Sequence, residues 1–574
     1  MKKSFIIFSV WVLFVSCQKN SEDNINKVYL NLTKETYSID GKNYKEISQE
    51  KTLVFDGVYI RYEGDKAASL IIIDAKKSAE NGLPDIYLTG KKKGGGLKIN
   101  TNSEDSLNLF ISKVSLTSSD YPCIEITKKS PVFIYFSGQN TLTDGRLYEN
   151  DYSACDGTAK GTLFAKGNLN LVSMTKDSVL NISQGYRNCI YSDGDVLIND
   201  GNYNLTSTAK HGILAGTAFI MMNGNLNIEG KGSNENDESK GIVVKGNDSA
   251  LQAYEGNGYI KIYSGKININ TYGKAISAKW TSEDASDAEE KVTPDPSVYL
   301  YGGDYKIVTY GMKMDCASEG IEAKKDVNIY DGNYEINTVD DGINSSTPGN
   351  NVNIFGGNLY ITSSKGDAID SNGNILMEGG KLIAYALMGS ENALDCGDLA
   401  GSQITINGGY LAAFGGSSRI EGDWSQSKQN YVNIEGALKE DGPGRHGGWG
   451  RPGLSEGPDM ENMPERPQGF PGEGRPDMEN MPERPQGFPE EDRPDMENMP
   501  EPPDIPAFAH KQDSEHTLKC DAESISKISL SDQEGNLLME VSLSGADSFG
   551  LASLSCPELN NQEVQSLVLK VSEK

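Results

Sequence analysis

Residues 327 to 336 read VNIYDGNYEI, and residues 352 to 361 read VNIFGGNLYI. In both, apolar residues stand five and three positions before a Gly and two and four after it, the period of two expected of strands with one buried face. The Gly marks a bend between two such strands. Six more stretches fit the same template: VLINDGNYNL (196–205), FIMMNGNLNI (219–228), IKIYSGKINI (260–269), VYLYGGDYKI (298–307), ILMEGGKLIA (375–384) and ITINGGYLAA (404–413). A shorter segment follows in seven units: HGILA (from 211), KGIVV (240), KAISA (274), EGIEA (319), DGINS (341), DAIDS (367) and NALDC (392).

The bend glycines recur every 23 to 29 residues, stretched to 41 and 38 by insertions near 231–257 and 281–296. That spacing suits one turn of a parallel β-solenoid. A β-sandwich also has many short strands, but it does not require identity column by column between units. The composition agrees: 63 Gly and 27 Tyr against 4 His in 574 residues do not suggest packed helices. Weaker half-units at 121, 161 and 188 carry the stack back toward residue 50.

The two ends read differently. Lys2 and Lys3, the apolar run from Phe5 to Val15 and FVSC ending at Cys17 have the layout of a secretory signal that closes on a lipobox. The expected division is a signal peptide over 1–17 with Cys17 acylated, a surface tether over 18–34, a β-helix over 35–439 and an insertion over 440–510. Residues 511–574 would return as a β cap. The insertion carries an 18-residue tandem, PDMENMPERPQGFP, from Pro458, Pro476 and, truncated, Pro494, and the 17 acidic and 6 basic residues of 440–510 cannot pack a core, which reads as a disordered acidic Pro-rich loop. Beyond Cys17 seven cysteines remain with no CxxC pair. Structural zinc is not indicated, and Cys520 with Cys556 is the one disulfide to entertain.

Equivalent positions in successive solenoid turns lie about 4.8 Å apart. The residue after the Ile or Leu of the short segment therefore forms a column: Leu214, Val243, Ser277, Glu322, Asn344, Asp370, Asp395. The residue two before it forms another: His211, Lys240, Lys274, Glu319, Asp341, Asp367, Asn392. Both turn acidic partway along. Stacked like charges destabilise a sheet, so a hard cation is the reading that gives the columns a purpose. Calcium accepts six to eight oxygens in loose geometry, which Glu319, Glu322, Asp340, Asp341, Asn344, Asp367, Asp370 and Asp395 can offer. The other reading is a solvated acidic turn with side chains capping backbone groups.

A third column stands two residues before each bend Gly and points outward, and over four turns it is aromatic: Tyr263, Tyr301, Tyr330, Phe355. Ring faces suit the apolar faces of pyranoses. Alternatively, one of the insertions covers the rings as a satellite core.

Taken in order, NTLTDG (140–145), GTLFAKGNLNL (161), EGIEA, DDGINSS (340–346), GDAIDSNGNILMEGG (366) and INGGYLAAFGG (406) resemble the carbohydrate-binding domain proteins of bacterial surfaces. The resemblance covers most of 35–420 and resumes after 515. It implies an all-β, right-handed parallel β-helix that binds polysaccharide with calcium. His211 and Lys240 depart from the acidic pattern.

Lyase chemistry on a uronate needs calcium and a strong base, yet residues 188 to 418 contain no Arg. Lys274, Lys313 and Lys365 are the lysines that could substitute. The expectation is therefore a lipid-anchored outer-membrane protein at the cell surface that binds an acidic or plant-cell-wall type polysaccharide with calcium and without catalysis. It has no sequence feature for nucleic acid. A calcium-dependent polysaccharide lyase and a protein-binding adhesin are the alternatives.

Overall fold

The computed structural model describes residues 27–436 and 516–573 apart from short internal stretches, the longest being 145–159, 232–238, 247–256 and 281–293. Cys17 and the 440–510 insertion lie outside the described residues.

Each turn of the chain contributes three strands, and the turns stack as a parallel β-helix. The strand before each bend Gly joins a first sheet, in which Val196, Phe219, Ile260, Val298, Val327, Val352, Ile375 and Ile404 are successive partners. The strand after the Gly joins a second sheet that runs from Asn202–Ser207 to Tyr410–Gly415. The short segments form a third, where Leu214, Val243, Ser277, Glu322, Asn344, Asp370 and Asp395 pair in turn.

The pairing reproduces the columns read from the repeats. The reason is the parity of the strand: a slip of one residue would turn every core Ile or Val out to water. Val298, Leu300, Val327, Ile329, Ile343 and Ile369 are all fully buried. Each such side chain contributes about 1.5–3 kcal/mol relative to exposure, which fixes the register.

Antiparallel strands cover sheet edges at both ends of the stack. At the start, Thr36–Ser38 runs antiparallel to Lys27–Asn31, and Thr52–Phe55, Val58–Glu63 and Leu70–Ala75 form an antiparallel meander at the edge of the third sheet. Lys27–Asn31 itself pairs parallel with Asp85–Lys93. The β-helix therefore begins inside the residues expected to be tether, because Val28 and Leu30 have a core to bury into. At the far end Leu551–Ser555 runs antiparallel to both Tyr410–Gly415 and Tyr431–Glu435, and Ile525–Ser531, Leu537–Ser542 and Val568–Glu573 make a separate antiparallel sheet. Cys520 and Cys556 are free thiols, so the entertained disulfide is not formed. Both pack as small apolar groups in the cluster beneath this cap.

The bend glycines adopt backbone angles that other residues avoid. Gly332 has φ of +122°, and a Cβ there would stand 2.8 Å from the Gly303 carbonyl oxygen and 3.0 Å from the Tyr334 hydroxyl. Gly349, with φ of +83°, has nothing within 4 Å of such a Cβ. Gly349→Ala should therefore cost about 1–2 kcal/mol from the left-handed backbone alone. Gly332→Ala should cost clearly more, compared by urea unfolding. Equal losses would show that the stacked bends yield without penalty.

Candidate functional site

The outer face of the third sheet gathers the predicted acids, but it divides them into two groups. Glu322 and Glu319 are almost wholly buried, and Lys274 reaches an oxygen of each at 2.8 Å. Lys324 also lies 3.1 Å from Glu322, and Ser277 donates to it at 2.8 Å. One ammonium thus serves two carboxyls unequally. Burial opposes ionisation of Glu322, yet Lys274, Lys324 and Ser277 hold its carboxyl down at about 2. Glu319 loses that competition and burial pushes it up to about 8. Lysine, rather than a metal, offsets the charge of this pair, so Glu319 and Glu322 do not fit the expected calcium ligand set.

The next turns contain no such lysine. Asp341 accepts from the Asp367 backbone N–H at 2.9 Å and from Asn344 Nδ2 at 2.8 Å. Asp367 accepts from the Asn392 N–H at 2.6 Å. Burial, with Asp370 and Asp340 nearby, pushes Asp341 up to about 8. Burial, with Asp395 and Asp341, pushes Asp367 up to about 9, and Asp340 is also raised by burial. Asp370 and Asp395 follow in register on the next turns.

Two observations favour a cation here. Carboxyls are crowded until they resist ionisation, and the buried Asn344 Oδ1 has no hydrogen-bond partner. One observation goes the other way: among the described residues no three His, Cys, Asp or Glu side chains converge as a metal-holding group. The expected donors left without a lysine are Asp341, Asn344, Asp367, Asp370 and Asp395, since Lys274 also acts on Asp340.

The aromatic column is present and tightly stacked. Ring centroids are 4.7 Å apart for Tyr263–Tyr301, 4.8 Å for Tyr301–Tyr330 and 4.9 Å for Tyr330–Phe355, with planes within 13° of parallel. The rings therefore cover one another's faces and turn edges to solvent, with Tyr330 38% and Phe355 39% exposed. Similar stacks occur at Tyr29–Tyr87–Phe110–Tyr135 and, buried, at Tyr305–Tyr334. Stacking at the strand spacing is a feature of the fold wherever aromatics recur. The ring faces on which a sugar was expected to lie are thus occupied at Tyr301 and Tyr330.

A site that the repeat analysis passed over lies beside this ladder. The residues one and three after each bend Gly face outward from the second sheet, and they are polar over many turns. Their amides chain together: Asn227 donates to Asn204 at 2.9 Å, Asn268 to Asn227 at 2.7 Å, Asn333 to Asp304 at 2.8 Å and Asn358 to Asn333 at 2.9 Å. Of these, Asn268, Asp304, Asn333 and Asn358 line an open groove of about 600 Å³ with Lys266, Lys306, Glu335, Tyr360 and Lys381. The groove adjoins the cap, because Tyr360, Ile383 and Tyr410 pack against the cluster that holds Met539 and Val541. The Tyr410 hydroxyl donates to the Glu540 carbonyl at 2.9 Å. The signal in the sequence was the amide-rich alternation NYN, NLN, KIN, DYK, NYE, NLY after each bend.

The raised carboxyls fix the sign of a pH dependence. Asp341 and Asp367 hold protons more tightly folded than unfolded, so without added cation their contribution to stability should be full below about pH 4 and be lost as pH rises toward about 8 and 9. Asp367→Asn should flatten that slope in chelator and raise the melting temperature at pH 8. Calcium should stabilise the wild type more at pH 8 than at pH 5, and the variant little at either. A wild type and an Asp367→Asn variant with the same pH dependence in chelator would show that these carboxyls are not under strain.

A family model described as carbohydrate-binding domain-containing protein matches residues 80–368 and 304–423, together more than half of the chain. No curated protein matches. The solved structure of a polysaccharide lyase-like protein from C. thermocellum, a gadolinium derivative, is similar at 16% identity and a TM-score of 0.32, covering 51% of this chain and 98% of that one. Likeness at that level transfers no property to this chain. The groove, the amide rows and the repeat that builds them fall within the matched residues, and the chain belongs to the carbohydrate-binding domain-containing protein family.

Proposed function

We propose that this protein is a non-catalytic, cell-surface lipoprotein that binds an acidic or plant-cell-wall type polysaccharide along its second sheet, with calcium assisting from the third. The groove carries this reading. Its amides and charged groups repeat at about 4.8 Å along the axis, on the scale of one sugar residue, and they present donors and acceptors in rows suited to hydroxyl groups. The aromatic ladder flanks it three residues earlier on each turn (Tyr263 before Lys266, Tyr301 before Asp304, Tyr330 before Asn333, Phe355 before Asn358) and supplies an apolar rim of ring edges.

Calcium is assigned to Asp341, Asn344, Asp367, Asp370 and Asp395, where it would relieve the crowding of carboxyls and attract an acidic glycan to a protein of net charge −29. The state of Lys274 supports a non-catalytic role. Although burial opposes its charge, Glu319 and Glu322 hold its proton more firmly than an ordinary lysine's, so it is a poor base. Of the other lysines considered, Lys365 is exposed, and Lys313 lies outside the described residues.

Anchoring is assigned to an acylated Cys17 at the outer face of the outer membrane, on the strength of the signal layout at residues 2–17. Cys17→Ser should leave an uncleaved or soluble precursor, checked by fractionation and fatty-acid labelling. A variant that still labels and stays in the outer membrane would exclude the anchor.

Asn333→Ala with Asn358→Ala should weaken binding of a neutral oligosaccharide by about 1–3 kcal/mol with little change in melting temperature. Tyr301→Ala with Tyr330→Ala should do the reverse, lowering the melting temperature by several degrees and binding only slightly. Calorimetric titration and thermal melts of both variants decide between groove and ladder. Unchanged binding in the Asn double variant would remove the groove from the reading.

A further inference from the structure

Upstream of its acidic half, the outer face of the third sheet carries the opposite charge. His211, Lys240 and Lys274 stack on successive turns, where the Gly212 N–H donates to the Lys240 carbonyl at 2.9 Å and the Gly241 N–H to the Lys274 carbonyl at 3.1 Å. A second row, at the far ends of the same strands, holds Lys245, Lys279 and Lys324, with the Lys279 N–H on Val244 at 2.9 Å and the Lys324 N–H on Ala278 at 3.0 Å.

The charges on this face do not balance turn by turn. Glu319 and Glu322 engage Lys274 and Lys324; Glu322 also acts on Lys240 from beyond ion-pair distance, but among the described residues Lys240, Lys245 and Lys279 have no ion pair of their own. Lys240 and Lys279 flank the paired residues Val243 and Ser277 on adjacent turns, and both are half-buried. Ammonium groups crowded onto one half-buried face repel where water is scarce. Burial first, and Lys279 next, lower the Lys240 amine to about 7. Burial of the imidazole of half-exposed His211, then Lys240, Lys279 and Lys210, lower it to about 3, and its buried Nδ1 has no hydrogen-bond partner. Nothing in the packing of the sheet requires this concentration of positive charge, whereas an anion between the two amines would offset it.

We propose that Lys240 and Lys279, with the exposed Lys245 at the rim, form an anion site that receives the carboxylate of an acidic saccharide. A carboxylate presents two oxygens, one to each amine, as charge-assisted hydrogen bonds. On a chain of net charge −29 this is a place where an acidic glycan meets attraction without a metal. The inference rests on the polysaccharide reading for the identity of the ligand, and on the third sheet alone for the site.

The test uses the full chain in chelator, so that metal bridging does not contribute, with calorimetric titration of an oligogalacturonate, a cello-oligosaccharide and inorganic sulfate. Lys240→Met and Lys279→Met should each weaken oligogalacturonate binding at least tenfold and leave cello-oligosaccharide binding unchanged. Lys240→Arg with Lys279→Arg should keep the uronate affinity within about threefold, which guards against a folding defect in the Met variants. If the wild type does not bind the cello-oligosaccharide while oligogalacturonate binding still depends on Lys240, the groove reading falls and the anion site stands. Uronate binding that is absent from the wild type, or unaffected by either Met substitution, overturns the site. Sulfate bound as tightly as the uronate overturns its assignment to a saccharide carboxylate.

Discussion

Everything in this molecule follows from one constraint: a residue in one turn lies directly over its counterpart in the next, about 4.8 Å away. Inside the coil the constraint is favourable, because columns of Ile, Val and Leu pack without gaps and exclude water. At the bends it demands glycine, since the carbonyl of one bend lies where the next would place a Cβ. Outside, each kind of side chain meets a copy of itself. Amides satisfy one another and aromatics stack, but like charges repel.

The third sheet shows how a stack of ionisable groups adjusts to that rule. One pair of acids is offset by lysines from its own and the preceding turn. The following acids draw on backbone N–H groups and an asparagine, and their carboxyls are still pushed toward the protonated form. At the other end, lysines crowd until one is lowered to near neutrality. The face thus changes sign along the axis. On the proposed reading, the lysine end attracts the carboxylate of an acidic saccharide and the acidic end a cation.

The ends of the stack obey a different rule, since an open sheet edge is a template for uncontrolled pairing. The chain turns antiparallel at both, with a meander at the start and the returning strand Leu551–Ser555 at the finish. The cap also shapes the candidate binding site. Its sheet buries Tyr360, Ile383 and Tyr410 from one side and so borders the groove. The residues after 515 therefore border the candidate groove as well as closing the stack.

The repeat by itself determined the coil, the bend positions, the identity of each column and the parity of its side chains, because strand alternation and turn length leave a single way to bury these apolar residues. VNIYDGNYEI and VNIFGGNLYI pair as their alignment implies. Tertiary structure decided what each column meets. Lys274 is one turn from Glu319 but 45 residues away in sequence, so the ion pair that removes Glu319 and Glu322 from the ligand set could not be read along the chain. The orientation of rings in the Tyr263–Phe355 ladder and the groove bordered by the cap likewise depend on contacts between turns. Periodicity states which residues are neighbours; only the folded coil shows which of their atoms are already taken.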